Sequence, residues 1–389
     1  VTEPAPLLQT VGPLLDSHHA DWVTRARVAA AELVTELGED PDTDGEARQR
    51  LPRITRRLGD RSLLAWAYPE PWGTGLDARA GCLVREALAA ASPLADDACA
   101  LQALGAMPIV LGGSAEQRAR WLPAIASGEA VAAFAMTEPE AGSDVAAIAT
   151  KATRTGDGWR LDGVKHLISN AGIADMAVVF ASTNPEAGAK GISAFVLDTT
   201  TPGCHFDGAQ VMAAPHPLGI LRFENCYIGR EALLGEIHRG FRLGLASLER
   251  LRVTVAAAAC GMARRALEES IARLQARRQF GRPLAELDVV RSTLATMAIE
   301  LDAARLLTFR AAAAIDHGEE RPARLVAGAK AFATEAAQRI VDQAVQLHGG
   351  SGVLLGNPVE RLYRAVRALR IYEGATAVQH LVVGRELLR

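Results

Sequence analysis

In the stretch "RIYEG" (370–374) a carboxylate, Glu373, stands between Tyr372 and Gly374, in a C-terminal region otherwise rich in apolar and basic residues. Glycine lets a backbone turn sharply and lets another molecule approach closely. The pair Glu373–Gly374 therefore raises the question of what the acid is offered to. A second stretch, "AFAMTEPEAGSD" (133–144), ends a strand at Met136 and brings the hydroxyls of Thr137 and Ser143 together with approachable backbone at Gly142. Such a turn can hydrogen-bond a planar heteroaromatic ligand along its carbonyl and nitrogen edge. Read alone, it is equally a hydrophilic turn. Three further stretches complete the set, "GVKHLISNAGIAD" (163–175), "RRQFG" (277–281) and "QLHGGSG" (346–352).

His348 lies beside two glycines with no second ligand at helical spacing, which marks a structural hydrogen-bonder and no metal site. "GSGVLLG" (350–356) has the look of a dinucleotide glycine loop, but it follows a helical pattern where that loop needs a strand.

The elements that must position these stretches fall into three regions. Residues 1–128 are dense in Ala, Leu and Arg with apolar positions three and four apart, as in "ADWVTRARVAAAELVTELG" (20–38). This predicts amphipathic helices. In 129–238, short runs such as "VAAFAM", "WRLDGVKHLIS", "MAVVFAS", "ISAFVLD" and "LRFENCYI" alternate with turn signals such as "TGDG" and "NPEAGAKG", which predicts a small β-domain, a barrel or sandwich. In 239–389 the helical period returns in long segments joined by short links, the pattern of a four-helix bundle. The fold class is α+β.

Bulk properties narrow the function. A chain of 389 residues is too long for one ordinary core. A formal charge of −3 argues against nucleic acid as the main partner. The five cysteines are scattered with no C-x-x-C pair, which suits free thiols in a reducing compartment. The opening "VTEPAPLLQT" lacks a basic start followed by an apolar run. "ACALQALGAMPIVLGGSA" (98–115) reads as a buried helix ending near Pro108 and not as a membrane span. The expectation is a soluble, cytoplasmic protein with no membrane or nucleic-acid partner.

In this order, on a helix–β–helix background, the five stretches resemble the acyl-CoA dehydrogenase family, and the resemblance covers essentially the whole chain. It implies an FAD enzyme that converts an acyl-CoA thioester to the trans-2-enoyl-CoA and passes electrons to an electron-transfer flavoprotein. A Cα proton is weakly acidic, so the reaction needs a strong local base, a polarised thioester carbonyl and a hydride acceptor held in place.

By the resemblance, Glu373 is the base, and desolvation among Tyr, Ile and Leu raises its proton affinity. Gly374 leaves room for the thioester. Met136, Thr137, Gly142 and Ser143 form the first FAD loop, with Ser143 also near the pantetheine. Ile168 and Ser169 face the isoalloxazine. Arg277, Phe280, Gln346, Gly349 and Gly350 reach the FAD of a neighbouring subunit, which implies a homo-oligomer, usually a tetramer. Arg252 takes the family's substrate-side arginine, with Glu249 three residues before it as an i, i+3 partner. Leu251 fills the alternate base position of some members and cannot accept a proton.

The chain also departs from the family pattern. Leu167 replaces a Trp at the flavin, Asp288 and Arg291 replace glutamines, and Ala365 replaces an Asp. "EGATAVQ" puts Ala375 and Ala377 where cofactor-bonding side chains are usual, with Thr376 as a partial substitute. Within the superfamily the alternatives are an acyl-CoA oxidase and an enoyl-CoA reductase. Outside it stands a non-catalytic helical binding protein, which colour and FAD binding separate from an enzyme.

Overall fold

A computed structural model describes residues 5–389; the first four residues of "VTEPAPLLQT" lie outside the described part. The N-terminal helices are α1 (Ala5–Val11), α2 (His19–Leu37), α3 (Asp44–Asp60), α4 (Ala78–Ala91), α5 (Pro93–Gly112) and α6 (Ala115–Ala126). The strands follow: β1 (Ala132–Ala135), β2 (Lys151–Thr155), β3 (Gly158–Ser169), β4 (Met176–Ser182), β5 (Ile192–Asp198), β6 (Cys204–Ala209), β7 (Leu218–Ile228) and β8 (Leu233–Leu234). Then come the long α7 (Gly240–Ala276), a hairpin of β9 (Arg278–Gln279) and β10 (Arg282–Pro283), α8 (Asp288–Asp316), α9 (Ala323–His348), α10 (Pro358–Leu369) and α11 (Thr376–Leu387). This is the α+β order expected from periodicity.

Local chemistry explains the boundaries. Thr43, Asp77 and Asn357 each accept a backbone N–H as N-caps, and Ser114 with Gln117 makes a reciprocal capping box before α6. Gly38 and Gly349, at φ 76° and 60°, end α2 and α9. One boundary differs from expectation. Helix α5 runs through Pro108 to Gly112, because a proline inside a helix removes one hydrogen bond without always ending it. Most of that helix is buried, although by length and composition it would also suit a membrane.

By contacts the chain divides into two compact units. Of the described residues, the first holds 5–40, 77–96 and 252–389. In it α8 packs on α9, α9 on α10 and α11, and α4 on α2 and α8. Buried ion pairs cross these contacts. Arg305 of α8 donates to Glu86 of α4 at 2.7 and 3.0 Å, and Arg79 to Asp316 at 2.9 Å.

The second unit holds residues 41–76 and 97–251. Its centre is an eight-stranded sheet in the order β6-β7-β3-β2-β4-β5-β8, with β1 paired parallel to β4. Strand β4 is buried at every residue, which is why "MAVVFAS" reads as a continuous apolar run. Strands β2 and β6 are largely exposed, and their polar sequences gave no alternation signal.

Candidate active site

In the first unit the chain leaves α10, and Glu373 and Gly374 take left-handed backbone at φ 51° and 95°. That conformation costs a non-glycine residue roughly 1–3 kcal/mol, so the surroundings must enforce it. Three side chains do so by binding the turn's carbonyls. Lys330 of α9 donates to the oxygens of Tyr372 (3.1 Å) and Gly374 (2.8 Å). Arg252 Nε of α7 donates to Glu373 O at 2.9 Å. Gln379 of α11 donates to Gly374 O at 2.9 Å and, more weakly, to Glu373 O at 3.4 Å.

The turn is thus fixed through its backbone, and the Glu373 carboxylate takes no part. Its Oε2 is shielded from solvent and has no hydrogen-bond partner within the chain. Burial pushes the carboxyl above the ordinary glutamate range. Arg85, Arg252 and Lys330 pull it back in part, while Asp96 adds to the rise. Arg85 is itself buried, gripping both Asp96 oxygens at 2.8 Å and the Thr254 hydroxyl at 2.8 Å. The arrangement is a desolvated carboxylate of raised basicity, prevented by cations from staying protonated at every pH.

Within the first unit the other expected residues separate into several environments. A Cβ at Gly374 would lie 2.2 Å from Gln379 Nε2, so part of the need for glycine arises within the chain. Thr376 donates its hydroxyl proton to Glu335 at 2.8 Å, leaving only lone pairs for another partner. Arg277 and Gln346 are exposed. Phe280 is 86% exposed, at φ 53° on the β9–β10 hairpin. Gly349 and Gly350 are exposed, with nothing within 4 Å of where a Cβ would stand. Asp288 and Arg291, two departures in the first turn of α8, face each other at 3.5 Å. His348 Nδ1 donates to Ala344 O at 2.8 Å, an ordinary structural bond.

In the second unit, the 137–144 loop leaves β1 at buried Met136, and Gly142 and Ser143 are exposed. Thr137 O accepts the N–H of His166, tying the loop's start to β3. Lys165 of β3, fully buried, donates to Met136 O (3.1 Å) and to Glu138 Oε1 (2.7 Å). Glu138 also accepts the N–H groups of Ala149 and Thr150. Burial lowers Lys165 to about 8 despite Glu138. Burial also opposes charge on Glu138, but Lys165 and the backbone donors outweigh it and hold the carboxyl below its usual range. At neutral pH the pair is ionised. Ile168 is buried, Leu167 is 49% exposed at φ 55°, and Ser169 Oγ lies 2.8 Å from His216 Nε2.

The sequence reading passed over Lys165, Glu138, Lys330, Gln379, Arg85 and Asp96 as site residues. A signal for two of them was present. The chain has four lysines, so 38 of its 42 basic residues are arginine (42 − 4), and two of those four are the buried Lys165 and Lys330. An ammonium gathers its three donors on one atom, whereas a guanidinium spreads its donors over a planar fork.

Elsewhere, Asp16, His18, His19, Asp77 and Asp316 bring carboxylate and imidazole atoms together. His19 Nδ1 accepts the Asp16 N–H, so Nε2 carries the hydrogen given to Asp77, and Asp316 is taken up by Arg79 and two backbone N–H groups. The group is an ionic network.

Comparison with known proteins places this architecture. Residues 16–129, 133–226 and 238–388 match the acyl-CoA dehydrogenase N-terminal, middle and C-terminal domains. A probable acyl-CoA dehydrogenase of Mycobacterium tuberculosis is 39% identical over 329 residues, covering 82% of this chain and 83% of the relative. A 3-(aryl)acrylate reductase of Clostridium sporogenes is 35% identical over 370 residues, 94% of this chain and 97% of the relative. Among solved structures, a glutaryl-CoA dehydrogenase of Mycobacterium smegmatis in complex with FADH2 superposes with a TM-score of 0.88 at 28% identity, covering 98% of each chain.

The chain belongs to the acyl-CoA dehydrogenase family. It is a flavoprotein oxidoreductase of the class that dehydrogenates acyl-CoA thioesters with FAD. The residues present fit that cofactor. Loop backbone and hydroxyls at Thr137, Ser143 and Ser169 suit a heteroaromatic edge. The exposed Arg277 guanidinium, the Phe280 ring and the open backbone at Gly349 and Gly350 suit a pyrophosphate and an adenosine.

Proposed function

We propose that this protein removes the Cα proton of an acyl-CoA with Glu373 and yields the trans-2-enoyl-CoA. One observation carries the reading. The Glu373 carboxylate is desolvated, bears an oxygen with no partner in the chain, and stands on a strained turn that three other side chains enforce. Keeping a buried carboxylate oxygen unpaired costs about 1–3 kcal/mol, which a purely structural residue would avoid by bonding. FAD, when bound, supplies the acceptor for the Cβ hydride at N5.

Each remaining task falls to a group of this chain. Met136, Thr137, Gly142, Ser143, Ile168 and Ser169 hold and orient the flavin ring, and Ser143 also meets the pantetheine. The Glu373 backbone N–H donates to the thioester oxygen. Arg252 and Gly374 border the substrate, with Arg252 also fixing the base through Glu373 O. Arg277, Phe280, Gln346, Gly349 and Gly350 serve the FAD of a second copy, with Thr376 an auxiliary acceptor. A homotetramer is supported by the exposed apolar side chains of Phe280, Val289, Ile299, Leu354 and Leu355, which a lone chain would leave in water. The electron acceptor is an electron-transfer flavoprotein, and the location is the cytoplasm. The relative named a 3-(aryl)acrylate reductase favours a second reading, in which the same site works toward reduction of an enoyl thioester.

The test is Glu373→Gln. The amide keeps the size and cannot take a proton at neutral pH, so the rate of flavin bleaching by acyl-CoA should fall at least about 100-fold with FAD content unchanged. In the wild type the same rate should fall as pH drops through a value above the ordinary glutamate range, because protonation disables the base. Near-normal bleaching in Glu373→Gln would move the base elsewhere.

A further inference from the structure

Behind Ser169, in the second unit, stands a chain of hydrogen bonds that holds neither the base nor the 137–144 loop. Ser169 Oγ lies 2.8 Å from His216 Nε2, and His216 Nδ1 lies 2.9 Å from Asp97 Oδ2. Ser169 ends β3, His216 precedes β7, and Asp97 lies on α5, so three separate elements converge. His216 is buried.

The direction of these bonds follows from donor chemistry. A carboxylate only accepts, so His216 Nδ1 carries a hydrogen, and Nε2 is the atom whose state can change. When the imidazole is neutral, Nε2 accepts the Ser169 hydroxyl proton, and the serine can offer only lone pairs to a further partner. When a proton is taken up at Nε2, that N–H donates to Ser169 Oγ, and the hydroxyl hydrogen turns outward as a donor. One proton at His216 reverses the polarity of the serine.

The charges around His216 raise its proton affinity above the ordinary imidazole value. Burial alone would lower its proton affinity, but the Asp97 charge and hydrogen bond outweigh that, with Asp44 of α3 adding to the rise and Arg48 of α3 opposing it. Arg48 pairs with Asp44 at 2.6 Å and donates to the carbonyls of Ala171 (2.7 Å) and Leu218 (2.5 Å), so its charge is already engaged.

We propose that Asp97 and His216 form a proton relay that sets Ser169 as hydrogen-bond donor or acceptor toward the flavin ring. The proposal rests on the placement of Ser169 beside FAD given above. Asp97 and His216 are positioning residues, since they act through Ser169. The chemistry of the partner makes such a switch useful. The isoalloxazine N5 is an acceptor when oxidised and carries an N–H after two-electron reduction. A fixed donor would complement one of these states, and a serine that can reverse complements both.

The experiment is a pH titration of the oxidised holoenzyme, read in the visible flavin spectrum and, in parallel, in the ring-nitrogen NMR signals of His216. The wild type should show one spectral transition above the usual histidine value of about 6.5, coincident with the His216 signal. Ser169→Thr should keep the transition, while Ser169→Ala and His216→Gln should abolish it. Asp97→Asn should move both readouts down by about one pH unit or more, as loss of an adjacent opposite charge does.

A flavin transition unchanged in His216→Gln, or no coincident transition in a fully FAD-loaded wild type, overturns the relay. Acyl-thioester hydrolysis by the wild type that disappears in Ser169→Ala would overturn it too, in favour of a nucleophilic triad. A protein that takes up no FAD at all fails the functional reading instead, and the NMR arm still reports whether Asp97 holds His216 protonated.

Discussion

Two turns of this molecule are each pinned by a buried lysine, and they differ in what the lysine does with its charge. In the second unit Lys165 donates to a carbonyl, Met136 O, and to a carboxylate, Glu138. In the first unit Lys330 donates to two carbonyls, Tyr372 O and Gly374 O. Burial lowers both ammonium groups to about 8. Lys165 is neutralised where it stands, so it acts as a mechanical pin for the 137–144 loop. Lys330 meets only dipoles at hydrogen-bond distance, and its field acts on Glu373, lowering that carboxyl's proton affinity against the rise from burial. A buried cation with its own counterion serves structure, and one bonded to carbonyls serves structure and also tunes a neighbour.

The largest effect that separates the two is on stability. Lys165→Met leaves Glu138 buried without its counterion and should cost about 3–5 kcal/mol in urea unfolding. Adding Glu138→Gln should recover part of that loss. Equal costs for Lys165→Met and Lys330→Met would erase the distinction.

Lys330→Met should cost less, roughly 1–3 kcal/mol, because Gly374 O keeps its Gln379 donor and the change also removes a poorly solvated charge. Its distinctive result is kinetic. Without the Lys330 charge the Glu373 carboxyl binds its proton more tightly, so the acid limb of flavin bleaching should move to higher pH. Lys165→Met should leave the limb in place in whatever fraction remains folded. A lysine whose folded value is lowered to about 8 also makes stability rise with pH from about 8 toward the unfolded value of about 10.4, since only the unfolded chain then holds the proton. Lys165 contributes a rise of the same sign, so removing Lys330 should reduce the slope without abolishing it.

The smallest effect is expected from Gly374→Ala. A left-handed φ of 95° penalises any Cβ by about 1–2 kcal/mol, and the added atom must displace the Gln379 amide. Unfolding should show that loss, and flavin bleaching should slow as the turn loses its Gln379 bonds. Unchanged kinetics would show that Lys330 and Arg252 suffice to hold the base.

Much of this was legible from the sequence. Helix and strand order followed from apolar periods of 3.6 and 2, because those periods are the direct imprint of one buried face. Glu373 was legible because an acid beside glycine in an apolar run is chemically conspicuous. Other features depend on distance in three dimensions. Lys330 precedes the turn it clamps by more than forty residues, and Ser169, His216 and Asp97 come from three elements. Pro108 shows the limit of a local rule, since the packing of α5 overrides a helix-breaking signal. Residue types and order, by themselves, determined the fold class, the family and the acid proposed as the base. Only the tertiary structure decided which buried charges face that acid, because proton affinity depends on desolvation and on charges a few ångströms away, and a linear chain records neither.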